Sequence, residues 1–176
     1  MTKVIKVILS ATAFTILVGV GWFFWDFASD FAPGSYPFAQ TYVIHAPESK
    51  VISTIERFKS SHPDFQVPIV FVDSVRPQIL IGGRGKSFPN YWYHVYFYCR
   101  ESNEILHTWT RPAADSTKTT FALVGLNRGR ALGGNWKRVN KDLQKLENKN
   151  VIKLFEDQIL FPIKDLIAKD TTYVGF

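Results

Sequence analysis

The 176 residues (20.1 kDa) suit one globular domain with an appendage, and 46% hydrophobic against 20% charged residues excludes a disordered chain. A single cysteine, Cys99, excludes an intramolecular disulfide framework and a cysteine-rich zinc site. A net charge of +6 favours anionic partners, and 15% aromatic residues point to a large aromatic core or a hydrophobic cavity.

The run Val7–Trp25 carries no charge. At ~1.5 Å per residue it spans ~28 Å, close to the ~30 Å hydrocarbon core of a bilayer. Trp22, Phe23, Phe24 and Trp25 crowd its end, where an interfacial aromatic belt belongs. The expectation is a transmembrane helix over 7–27, between a short cytoplasmic segment 1–6 and a breaker-rich linker 28–37. A cleaved signal peptide fits less well. Cutting after Ala28 or Ala32 would put Asp26 or Asp30 at the −3 position, and the run is long for a signal core of roughly 7–15 residues. Lys3 and Lys6 before the run, against Asp26 and Asp30 after it, place the N-terminus in the cytoplasm and the domain outside. The expected location is therefore the cell membrane, single-pass, with the bilayer as a partner through 7–27.

The soluble domain is expected over 38–176. Gln40–His45 reads as a strand in which Tyr42 and Ile44 share a face, and Ala46-Pro47 stops it. Pro47 suits a helix start, with Glu48 at its positive end. Val51, Ile52, Ile55 and Phe58 then recur at helical spacing through Ser60, and Pro63 ends the helix. Pro68–Asp73 and Gln78–Ile81 are short strand signals. Tyr91–Arg100 and Glu104–Arg111 flank Glu101-Ser102-Asn103 as a hairpin, and Thr117–Leu126 is a further strand. Val139, Leu143, Leu146, Leu154, Phe155 and Ile159 form the apolar stripe of a long last helix, with Lys141, Lys145, Lys149 and Lys153 off it. Pro162 is expected to kink or break that helix near Phe161. Strand, helix, several strands and a long helix make an α+β domain, an antiparallel sheet with helices on one face.

This order, with QTYVIHAPESKVISTIERFK over Gln40–Lys59, resembles the SRPBCC superfamily, the helix-grip proteins that include START-type lipid-transfer domains and polyketide cyclases. His45-Ala46-Pro47 and Val51-Ile52 occupy the places of the strand-to-helix turn and of a Val-Trp pair, with Ile52 where Trp is common. The resemblance implies a curved antiparallel sheet gripping the C-terminal helix, around a cavity for lipids, sterols or polyketide-like molecules. It carries no catalytic residue across.

With Ser102-Asn103 as a two-residue turn, the hairpin pairs Tyr98 with His107, Tyr96 with Trp109 and His94 with Arg111. Apolar bodies with polar tips suit the wall of an amphiphile site, and the same six residues equally suit an outer sheet face meeting solvent. A one-residue slip would dismantle the grouping. Leu80-Ile-Gly-Gly-Arg-Gly-Lys-Ser87 lacks the first glycine of a phosphate loop, and Phe88-Pro89 stops the helix such a loop needs. It reads as a glycine turn. Arg84 and Lys86, with Arg128 and Arg130 near the glycine-rich connection, are candidate contacts to lipid headgroups.

His45, His62, His94 and His107 have no metal spacing, so no metal and no cofactor is expected. Cys99 lies mid-strand among aromatics, and the carboxylates fall at turns and strand ends, so no catalytic residue is nominated. Nucleic acid is not expected as a partner outside the cytoplasm. The sequence therefore reads as a membrane-anchored binding domain for a hydrophobic small molecule, rather than an enzyme. Two alternatives stand beside it. One is a cyclase- or hydrolase-type enzyme using His94, Tyr96 and Arg111 in the same cavity, and the other a ligand-free interaction module.

Overall fold

A computed structural model describes residues 12, 15–16, 18–21, 36–72, 76–85, 91–134 and 136–172. The chain divides into two units, Met1–Pro37 and Phe38–Phe176. In the first, the described residues between 12 and 21 are helical, with Ile16, Val18 and Val20 exposed. Most of the expected membrane segment lies outside the described residues. Among those that are described, no helix is long and apolar enough to cross a membrane.

The second unit is α+β. Strand β1 (Gln40–Ile44) leads into helix α1 (Glu48–Ser61), a 3-10 turn (Pro63–Phe65), and strands β2 (Val70–Val72), β3 (Arg76–Gln78) and β4 (Gly83–Arg84). Strands β5 (Tyr93–Cys99), β6 (Glu104–Pro112), β7 (Thr119–Arg128) and β8 (Trp136–Arg138) follow. Helix α2 (Lys145–Phe155), a π-helical turn (Glu156–Leu160) and helix α3 (Phe161–Thr172) run on without a break.

Helix α1 starts where Pro47 fixes the backbone at φ −58°, and the Val51 amide donates to the Pro47 carbonyl. Val51, Thr54, Ile55 and Phe58 form its buried face, one helical turn apart. At its end, a ring nitrogen of His62 lies 2.9 Å from the Phe58 carbonyl, and the His62 ring stacks on Phe58 before Pro63 turns the chain away.

The main sheet is antiparallel in the order β1-β7-β6-β5-β4, with β8 paired to β7 beyond β1. The β6–β7 register shifts between His107 and Thr108: His107 faces Gly125, Thr108 faces Leu123, and Val124 is the extra residue. Such a bulge bends and twists its strand, which curves the sheet. Gly125 beside it has no substitute, because a Cβ there would stand 2.3 Å from the Lys137 carbonyl oxygen.

Alternation decides what each face carries. Val95, Phe97, Cys99, Leu106, Phe121, Leu123 and Leu126 point to the helices. There they meet Phe58, Val151, Phe155, Ile159, Leu160 and Ile163 in one cluster that includes Val139. Among the described residues, every member of this core lies between Ile44 and Ile167. Lys59 shields the edge of β5: its amine donates to the Tyr96 carbonyl at 2.8 Å, and burial lowers its pKa.

The last helix departs from expectation in two places. Leu146, expected on the apolar stripe, is 72% exposed, and Val139 and Leu143 precede the helix rather than belong to it. Of the kink or break expected near Phe161, the break does not occur, and the helix runs on through Pro162. This proline lacks an N–H and crowds the carbonyl four residues back, and the turn before it widens, with the Phe161 amide donating to the Glu156 carbonyl. Tyr42 of β1 reaches this turn, its hydroxyl donating to Glu156 Oε1 at 2.9 Å. Strands β4 and β8, too short to register in the sequence, complete the sheet.

Candidate functional site

The β5–β6 hairpin keeps its expected faces but not its expected pairs. Tyr96 pairs with His107, His94 with Trp109, and Tyr98 with Ile105, two residues from the partner a two-residue turn requires. The connection is the wider Arg100–Asn103, with Asn103 at φ 52° and its carbonyl accepting from Gly129 N at 2.7 Å. A two-residue shift leaves every side chain on its own face, so the grouping survives while the pairing changes.

That face is the one turned away from the helices. His94, Tyr96, Tyr98, His107, Trp109 and Arg111 alternate with Val95, Phe97, Cys99, Leu106, Thr108 and Thr110 on β5 and β6, and the latter set faces the core. Tyr96 stacks on His107 with centroids 5.0 Å apart, and Trp136 of β8 closes on both at 6.0 and 5.7 Å. Trp109 packs edge-on to Trp92 at 6.3 Å and carries the Arg111 guanidinium over its ring. Tyr98 donates to Asn103 Oδ1 at 3.0 Å.

Within this layer His94 Nδ1 and His107 Nε2 lie 2.9 Å apart. One ring donates and the other accepts, so the pair is satisfied when both are neutral. Burial pushes the His107 pKa down to about 3, with the neighbouring His94 adding to the effect, and burial also lowers His94. The layer is packed side chain on side chain and largely covered, with Trp109 only 3% exposed. It touches no described cavity.

The described cleft lies on the helix side. About 560 Å³ opens between the hairpin turn, the 3-10 turn and the last helix, lined by Asp64, Phe65, Cys99, Arg100, Glu101, Ser102, Leu154 and Gln158. Phe65, Cys99 and Leu154 make an apolar floor. Around it stand Asp64 and Arg100, ion-paired at 3.1 Å, with Glu101, Ser102 and Gln158. Gln158 comes from the π-helical turn, which displaces its side chain from the register of α2. Burial, then Glu104 and Glu101, raises the Cys99 pKa to about 12, which favours the protonated thiol.

None of the six hairpin residues lines this cleft. Sequence reasoning missed it because its residues come from three separated segments and owe their meeting to the fold. The one local signal was Pro162, which marked where the helix would widen. The basic candidates are separated. Arg84 pairs with Glu48 and donates to the Tyr91 carbonyl, Arg128 pairs with Glu104 and Glu147, and Arg130 is exposed beside β2. Lys86 lies outside the described residues. Among the described residues no group of three His, Cys, Asp or Glu side chains is placed to hold a metal ion. Compared with protein-family models and with curated proteins, the chain matches none.

Proposed function

We propose that the Phe38–Phe176 unit is a binding module that holds a small amphiphilic molecule in the cleft between the β5–β6 turn and the last helix. The observation that carries this reading is the cleft itself. Its ~560 Å³ falls in the range of small-molecule sites, and its apolar floor with convergent polar groups gives such a ligand both burial and orientation. The fold lends support to the helix-grip resemblance: an antiparallel sheet packs on one long C-terminal helix, with β1 beside β7. The interior argues for a ligand at the mouth rather than one swallowed whole. Phe155, Ile159, Leu160 and Ile163 are fully buried against the sheet and occupy that space. The same filling favours, as a second reading, an interaction module without a ligand.

Native mass spectrometry of the purified chain, before and after organic extraction, tests the choice. The expected result is a discrete added mass that extraction removes, together with enhanced fluorescence of anilinonaphthalene sulfonate on the extracted protein. Leu154→Trp, which fills the floor of the cleft, should lower that dye signal about tenfold, as losing most of the apolar contact implies. Tyr96→Ala and Trp109→Ala, on the far face, should leave it unchanged. An empty protein whose dye signal ignores Leu154→Trp would establish the interaction module instead.

The reading includes a single membrane span over 7–27 that holds the domain at the outer membrane surface. Its support is the uncharged run Val7–Trp25 and the flanking Lys3, Lys6, Asp26 and Asp30. The chain should stay with membranes through a carbonate wash, and a reporter after Phe176 should be active only outside the cytoplasm. Release by carbonate, or a cytoplasmic signal, would reverse this part of the proposal.

A further inference from the structure

Charge around the cleft does not balance. The segments that line it, 63–65, 99–104 and 154–158, hold one base, Arg100, against the acids Asp64, Glu101, Glu104, Glu156 and Asp157. Most of these acids are already answered. Asp64 pairs with Arg100 at 3.1 Å, Asp157 pairs with Lys153, and Glu156 accepts from the Tyr42 hydroxyl. Glu104 shares Arg128 with Glu147. Glu101 is left over: it lines the cleft and has no ion pair among the described residues.

Two observations bring that surplus charge to where a ligand would lie. The floor feels it, because burial raises the Cys99 thiol and the Glu104 and Glu101 carboxylates raise it further. The thiol itself is 4% exposed, makes no hydrogen bond among the described residues, and borders the cleft as a soft acceptor.

The lining then selects a head group. An anion would have to displace Asp64 from Arg100 and stand beside two carboxylates. A quaternary ammonium is best held by an aromatic cage, and Phe65 is the only aromatic side chain among the described lining residues. A primary ammonium donates through every N–H and needs oxygen acceptors. Glu101, Ser102 and Gln158 supply them at the rim, and none of the three makes a side-chain hydrogen bond among the described residues.

We propose that the cleft is selective for an amphiphile with a primary ammonium head. Its alkyl chain lies on Phe65, Cys99 and Leu154, and its head donates to the Glu101 carboxylate, with Ser102 and Gln158 as further acceptors. This selectivity rests on the cleft being a ligand site, as proposed above.

The test is photolabelling of the purified full chain, localised by peptide mass spectrometry, with decyl probes that carry a diazirine on the chain. Their head groups are a primary ammonium, a trimethylammonium and a carboxylate. At low salt the primary ammonium probe should label the peptides containing Phe65 and Leu154 about threefold or more over the other two. The excess should shrink as salt rises. Leu154→Trp should reduce labelling there by every probe, which ties the signal to the cleft. Glu101→Gln should abolish the excess, and Arg100→Gln, which leaves Asp64 and Glu101 unopposed, should raise it. Asp64→Asn/Glu101→Gln, which leaves Arg100 alone, should turn the preference to the carboxylate. The Asp64 and Arg100 side chains are 68% and 72% exposed and Glu101 is exposed, so these variants should melt close to the parent. If no probe labels these peptides, the ligand reading falls and this selectivity with it. Equal labelling by ammonium and carboxylate, or an excess that Glu101→Gln leaves intact, would overturn the selectivity alone.

Discussion

Lowering the pH below about 6.5 should destabilise the Phe38–Phe176 unit, and His107→Gln should remove much of that loss. The sign follows from linkage. His107 in the fold has its pKa lowered from 6.5 to about 3, so between those values the unfolded chain binds a proton that the native state refuses. Stability is complete above the unfolded pKa and falls as pH drops through the window. Each tenfold difference in proton affinity is worth ~1.4 kcal/mol, so His107 alone accounts for a loss of about 2–3 kcal/mol by pH ~4.5. His94 is lowered in the same direction and adds to it. The geometry explains the refusal. Among the described residues, His94, Tyr96 and Trp136 pack against the ring, and protonating both imidazoles would set two N–H groups nose to nose across 2.9 Å. Urea melts of both proteins between pH 7 and 4 read the effect. If the two lose stability in parallel, the fold takes up the His107 proton as readily as the unfolded chain does, and the argument fails.

The sequence made the strands and helices visible wherever a pattern ran long enough to average out local exceptions. Gln40–Ile44 alternates as expected, with Ile44 buried and Val43 exposed, and α1 spans Glu48–Ser61 with Val51, Ile55 and Phe58 inward. β7 begins and ends two residues later than Thr117–Leu126, the usual margin at the end of an element. What escaped were elements of two or three residues. β4 and β8 exist because β5 and β7 offer them an edge, and nothing within Gly83–Arg84 or Trp136–Arg138 announces a strand. Trp136 was therefore absent from the aromatic layer expected on β5 and β6.

The candidate site was less legible than the fold, for a physical reason. A period of two tells which residues share a face, and His94, Tyr96, Tyr98, His107, Trp109 and Arg111 do share one. It does not tell which face the helices cover. Both faces are rich in large side chains, so hydrophobicity alone could not rank them. The decisive feature is the fit of the last helix, whose Phe155, Ile159 and Ile163 meet Phe97, Leu106 and Phe121. Likewise Ile79 and Ile81, expected within a strand, lie beyond the end of β3 with their side chains in water.

Arg84→Ala should destabilise the unit by about 3 kcal/mol, while Glu48→Gln should cost only about 1 kcal/mol, although the two mutations break the same ion pair. Glu48 is 8% exposed, at the first turn of α1, where it accepts from the Thr110 hydroxyl at 3.0 Å and from the Arg84 guanidinium. Removing the arginine strands a buried carboxylate with only Thr110 and the positive end of the helix for company. Removing the carboxylate's charge instead leaves an amide oxygen that still accepts from Thr110. Arg84, its side chain 37% exposed, can turn to water. The double variant Arg84→Ala/Glu48→Gln should therefore be more stable than Arg84→Ala alone, a positive coupling that a double-mutant cycle in urea measures. Equal losses from the two single variants would mean that the pair behaves as a surface contact, and that β4 is not held to α1 by it. The stronger loss from the arginine would show instead that a short strand with almost no ladder of its own is fastened to the sheet's edge by one buried charge.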